Sequence, residues 1–306
     1  MSLLALESLS VRVEIDADFG ARVVSLIDRR SGRDWMAKGP RSTQVGEDAI
    51  YLADEAVGWD ECFPTVAPWD AGATPHGRRL RDHGDLWGRA WTIDAQAPDS
   101  ITLSRADTAS RFTRRLTLAD ATLIADYAVE NTGPAKLPFM WALHGLLAVT
   151  PADRIALAGI DAVAATYVAR DGRTITVPQL RWPGPDDALG LRLDDIHPAS
   201  TRFAAKLYAS HVPDAAASVG GANGWLDIGW SREIGHLGLW LNYGGWPAPG
   251  DVHHLALEPT TAPADHLGEA LARGTAITLA PGAVSQWRVT MTLRAPESHS
   301  LPTEQT

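Results

Sequence analysis

The sequence predicts an all-β protein, a large antiparallel β-sandwich with one or two short helices. Three observations predict it. Apolar and polar residues alternate at period two in several separate runs, and turn-forming pairs sit between those runs. The chain also shows no βαβ rhythm, no glycine-rich phosphate loop and no repeat at a fixed period.

The alternation is explicit. Val11, Val13 and Ile15 alternate with Arg12, Glu14 and Asp16. Leu123, Ala125, Tyr127 and Val129 share one face of 123–130, and Leu237, Leu239, Leu241 and Tyr243 share one face of 236–243. In 287–294, Trp287, Val289, Met291 and Leu293 alternate with Arg288, Thr290, Thr292 and Arg294. Successive strand side chains point to opposite faces, so each run is a strand with one buried side. Ser31-Gly32, Asp171-Gly172 and Pro281-Gly282 read as hairpin connections, and Asn131-Thr132-Gly133-Pro134 as a longer loop. Only 261–272 reads as helix, with Pro263 near its first turn. The stretch 178–200, rich in Pro and Asp, reads as a long excursion of the kind that forms lids and rims.

Composition bounds the function. The chain has 306 residues, 45% hydrophobic and 21% charged, and no composition shift divides it. We read 1–294 as a single sandwich domain and the polar, aperiodic stretch 295–306 as a disordered tail. The net charge of −10 and the lack of a basic face exclude a nucleic-acid partner. Arg78, Arg79 and Arg81 form too small a cluster for that role, although a local arginine pocket can hold one phosphate or sulfonate. Cys62 is the sole cysteine, so there is neither an intrachain disulfide nor a thiolate metal cluster. No basic-then-apolar leader opens the chain and no run of about 18 apolar residues occurs, so the expectation is a cytoplasmic protein without membrane spans. Tryptophan is abundant, 12 against 5 Tyr and 5 Phe. Burial accounts for most of them, but an indole face also suits stacking on a sugar ring.

Three segments hold more polar chemistry than a core strand tolerates: 81–91 around His83, 139–146 around His144, and 253–265 around Glu258. An imidazole in the apolar run Phe139-Met140-Trp141-Ala142-Leu143-His144-Gly145-Leu146 needs partners, because burying it unpaired costs about 1–3 kcal/mol. A backbone carbonyl could supply them as well as a ligand. Glu258 is placed at the end of its strand by Pro259, at the mouth of the sheet where ligands are met. His253 and His254 are adjacent, point to opposite faces and make no metal pair.

With these residues in hand, the sequence resembles the galactose mutarotase (aldose 1-epimerase) family. The resemblance rests on Gly224-Trp225-Leu226-Asp227, Leu237 through Asn242, Ala256-Leu257-Glu258-Pro259 with Asp265 following, Leu279-Ala280-Pro281-Gly282, and Trp287 opening the last strand. His83-Gly84 resembles the family's first histidine site, and His144 falls where its second histidine ends a strand. Gly20 through Leu26 and Gly58-Trp59-Asp60-Glu61-Cys62-Phe63-Pro64 also fit, so the likeness spans nearly the whole chain. Relatives carry Asn-Gly-Arg before the first histidine. Here the segment is His76-Gly77-Arg78-Arg79, which offers Arg78 or Arg79 for the arginine role.

The resemblance implies the galactose mutarotase-like supersandwich and interconversion of sugar anomers. It makes Glu258 the general base, His144 the general acid, and His83 a hydrogen-bond partner near the ring oxygen. Trp59, Asp60, Trp87, Arg78, Arg79, Asp227 and Trp240 are the expected sugar-binding residues, with Asp227 the candidate for the family's additional aspartate. No metal or organic cofactor is implied. The expected partner is a small-molecule sugar, acted on by a monomer or homodimer. Two alternatives stay open: an epimerase of a phosphorylated or sulfonated sugar, and a sugar-binding protein without catalysis.

Overall fold

A computed structural model describes residues 3–39, 51, 56–70, 74–248 and 250–295. All but the first residue of the expected tail lies outside them. Two large antiparallel sheets face each other. Edge to edge, the larger runs Leu4–Glu7, Val11–Asp16, Arg22–Asp28, Trp59–Cys62, Ala142–Leu147, His253–Thr260, His236–Tyr243, Phe203–Ser210, Ala162–Arg170 and Arg173–Thr174. Gln179–Arg181 pairs additionally with Ala162–Arg170. The second sheet runs Asp153–Ala156, Ala216–Gly221, Gly224–Trp230, Val284–Arg294, Thr122–Asn131, Ser110–Ala119, Ser100–Ala106 and Thr92–Ala97.

The period-two runs become the strands that face the core. Val13, Leu239, Leu241 and Leu257 of the first sheet join Leu116, Val129, Val289 and Met291 of the second in one buried cluster. Burial of such side chains contributes about 1.5–3 kcal/mol each, and this term drives the sheets together. One charged pair crosses the apolar layer. Glu61 accepts hydrogen bonds from Arg114, Tyr127, Trp59 and Trp141, so its burial is compensated.

Asp171-Gly172 closes a two-residue hairpin, with Arg170 opposite Arg173 and both turn residues at positive φ (51° and 73°). Pro281-Gly282 is not a hairpin. It carries the chain from Ile277–Leu279, which pairs with Leu137–Phe139, into Val284–Arg294 of the second sheet. The helix is shorter than expected, Leu267–Arg273, capped by His266 at its start and ended by Gly274 at φ 71°. Residues 261–266 are occupied otherwise. The backbone N–H of Thr261 donates to the Trp141 carbonyl, and the Asp265 carbonyl accepts from Val66 and Ala67. Among the described residues, no helix is long and apolar enough to cross a membrane.

Candidate functional site

The outer face of the larger sheet carries the site, and strand register explains how. Asp60 lies opposite His144. Ala142 pairs with Thr260 and Leu146 with Ala256, which puts His144 level with Glu258. Glu258 pairs with Gly238, and Gly238 with Tyr208. Asp60, His144, Glu258, Gly238 and Tyr208 therefore form one row across five strands. The neighbouring row on this face is Leu146, Ala256, Trp240, Lys206 and Tyr167. The intervening residues, such as Leu143, Leu257, Leu239 and Leu207, point into the core. One face of these strands is thus spent on packing and the other on polar chemistry.

Over these rows lies a cavity of about 310 Å³, lined by His83, His144, Tyr51, Lys206, Glu258, Asp265, Trp240, Tyr167 and Trp246 among others. The loop 81–88 brings in His83, whose backbone is left-handed (φ 57°) and whose N–H donates to the Val66 carbonyl. Gly84 must follow it. A Cβ there would stand 2.1 Å from the Phe63 carbonyl oxygen, so the loop closes only over hydrogen. The His83 ring stacks on Tyr51 at 3.7 Å between centroids, and its Nδ1 is 3.0 Å from Asp82. Its centroid is 4.8 Å from that of His144.

His144 Nδ1 is 3.0 Å from the Tyr51 hydroxyl. Burial, with His83 and Lys206 nearby, holds its pKa well below the usual histidine range. Glu258 is buried (1% exposed), and burial raises its carboxyl pKa against the opposing pull of Lys206. Its Oε2 accepts a hydrogen bond from the Lys206 ammonium, while Oε1 has no hydrogen-bond partner among the described residues. Asp265 lies beyond Lys206 at 3.9 Å and accepts from the Tyr208 hydroxyl at 2.6 Å. Trp240 forms an aromatic wall with Tyr167 and Trp246. Its indole N–H donates to His254 Nε2 at 3.0 Å, which fixes the plane of the ring.

The structure thus brings together His83, His144, Glu258 and Trp240. It does not place the other expected sugar-binding residues on the cavity. Trp59 points to the core, where its N–H donates to Glu61. Asp60 shares the row of His144 but does not line the cavity, and its Oδ2 is held in a buried ion pair with Arg22 at 2.6 Å. Trp87 lies beneath, edge-on to Tyr51, with its N–H on the Asp82 carbonyl. Arg78 is tied to Asp85 and Asp107, and Arg79 is an exposed partner of Asp70. Asp227 is on the second sheet, bonded to Ser218 and Arg294. The excursion 178–200 lines no part of the cavity. Nor does Glu258 end its strand. The ladder runs on through Pro259, opposite Leu237, to Thr260.

Lys206, Tyr51, Tyr167 and Trp246 were missed by the sequence reading, and Asp265 was named there without a role at the site. Lys206 did carry a signal, a lone charge inside the apolar strand Phe203–Ser210. Tyr51 carried none, since it reaches His144 across 93 residues of sequence.

No protein-family model matches the chain, and no curated protein matches it. Solved structures do. A candidate aldose 1-epimerase of Escherichia coli K12 superposes with a TM-score of 0.69 at 14% identity, covering 96% of this chain and 99% of that one. A galactose mutarotase related enzyme from Lactobacillus acidophilus gives 0.68 at 14% identity, covering 96% and 98%. A galactose mutarotase-like protein from Lactobacillus casei gives 0.64 at 14% identity, covering 96% and 100%. With nearly the full length of each chain superposed, this chain has the galactose mutarotase-like all-β sandwich fold.

Proposed function

We propose that the cavity is the active site of an aldose 1-epimerase, which interconverts the α and β anomers of a sugar by general acid–base ring opening. The observation that carries this reading is the level placement of Glu258 and His144 on adjacent strands, with both residues lining the cavity. The Glu258 carboxylate takes the proton of the C1 hydroxyl. The C1–O5 bond breaks with its electron pair on O5, which receives a proton from His144. Rotation about C1–C2 and closure in the reverse sense return both protons and give the other anomer. His83 donates to the sugar near its ring oxygen, and the Trp240 wall meets the apolar face of the ring. Arg78 and Arg79 are held in ion pairs away from the cavity, which favours an uncharged sugar over a phosphorylated or sulfonated one.

Burial moves the two pKa values toward one another, up for Glu258 and down for His144. The pair then titrates as a unit. Activity needs Glu258 ionised and His144 protonated, so kcat/KM should rise and fall with pH in a narrow bell. Polarimetry of freshly dissolved α-anomers, in a screen of plain and anionic sugars, tests the function. In Glu258→Gln the amide accepts no proton, so kcat should fall about 10²–10⁴-fold with little change in affinity. A protein that binds sugar without accelerating exchange above buffer would leave only the binding role.

A further inference from the structure

We propose that Lys206 is the positioning residue of the base. By engaging Oε2 from across the Gly238 strand, it fixes the Glu258 carboxylate at the cavity. The inference rests on the acid–base reading of the cavity and goes beyond it, since Lys206 belongs to none of the segments that resemble the mutarotase family.

The geometry is diagonal. Lys206 lies opposite Trp240 and Glu258 opposite Gly238, so the two side chains sit on strands separated by His236–Tyr243 and are offset by two residues. Directly opposite or adjacent side chains meet easily in a sheet; a pair two strands apart meets only if the strand between leaves room. Gly238 leaves it. A Cβ there would stand 3.1 Å from Glu258 Oε2 and 3.4 Å from the Tyr208 ring, inside the space the ion pair uses. On its far side the ammonium faces Asp265, itself fixed by the Tyr208 hydroxyl. Lys206 is thus held between two carboxylates, and its ammonium form is favoured despite burial.

The consequence is electrostatic as well as geometric. Glu258 is faced by Lys206, Asp265 and His83, with Cys62 and Tyr208 also within range of its charge. Burial favours the neutral acid, which cannot act as a base. A cation beside Oε2 favours the carboxylate and so lowers the pH at which Glu258 ionises. Removing that cation must raise it.

The experiment compares wild type with Lys206→Met, which keeps length without charge, and Lys206→Arg, which keeps charge. Glu258 is titrated directly by ¹³C NMR of glutamate-labelled protein, with the resonance assigned through Glu258→Gln; kcat/KM is followed against pH on the sugar the wild type turns over. In Lys206→Met the Glu258 midpoint should move up by at least about one pH unit, with the acidic limb of the rate profile moving alongside it. At a pH below the shifted limb, kcat/KM should drop at least about tenfold, and Lys206→Arg should recover most of it. If Lys206→Met does not fold, Lys206→Gln gives the same readouts. An unchanged midpoint and limb in a folded, uncharged variant would overturn the proposal while leaving the epimerase reading intact. A wild type that accelerates no anomer exchange, with the midpoint still shifted in Lys206→Met, would remove the epimerase reading and uphold the hold of Lys206 on Glu258.

Discussion

Tyr51 and His144 meet through a single polar contact, the tyrosine hydroxyl 3.0 Å from His144 Nδ1. In the neutral ring with its proton on Nε2 the hydroxyl donates to Nδ1, and in the protonated ring that acts as the acid Nδ1–H donates to the hydroxyl. Tyr51 thus orients the ring of the proposed acid in either protonation state while its own ring supports His83 by stacking.

Tyr51→Phe removes the hydroxyl and keeps the ring. The His83 stack should survive, so KM should change little. Losing one hydrogen bond of about 1 kcal/mol to the acid predicts a kcat some fivefold to tenfold lower. Steady-state kinetics on the preferred sugar would show the split; a raised KM at constant kcat would mean that Tyr51 binds substrate instead.

His254 links the aromatic wall to acid stability. Burial lowers its pKa from 6.5 to about 4, and its Nε2 accepts the Trp240 N–H, so the native state holds it neutral. The unfolded chain binds this proton near pH 6.5 and the folded protein only near 4, so stability falls as pH drops through that window. Each pH unit is worth about 1.4 kcal/mol, giving a loss of about 3 kcal/mol between pH 6.5 and 4. His236, also lowered to about 4 but only partly enclosed, adds to the same window. Urea unfolding at pH 7 and pH 4.5 should show this fall, and His254→Gln, which retains an acceptor for Trp240, should flatten it by about 2 kcal/mol.

Arg79 makes the opposite forecast. Its guanidinium is 72% exposed and paired with the similarly exposed Asp70. Exposed pairs of this kind contribute about 0–1 kcal/mol. Arg79→Ala should leave kcat and KM within about twofold of wild type on plain and anionic sugars alike. A selective loss on an anionic sugar would restore the arginine clamp that the sequence suggested.

The sequence by itself determined the sandwich and three of the polar groups on its face. Strand side chains alternate strictly, so the runs at Val11–Asp16 and His236–Tyr243 could be read from composition along a few residues. His144 stood out because a titratable group in an apolar run demands a partner, Glu258 because Pro259 follows it at an expected strand end, and His83 because its polar segment resembles the family's first histidine site. Lys206 obeyed the same rule as His144 and could have been found by it. Pairing across strands was another matter. Trp59, Asp60 and Trp87 lie in segments that resemble a sugar site, yet one points to the core, one is neutralised by Arg22 and one packs beneath Tyr51. Which face a residue occupies, and what lies opposite it, depends on register between strands far apart in the chain. Tertiary structure alone decided that Glu258 stands level with His144, that Gly238 opens the way for Lys206, and that Asp227 belongs to the other sheet. Register is set by packing the buried faces of both sheets together, a sum over many distant contacts that no local stretch of sequence contains.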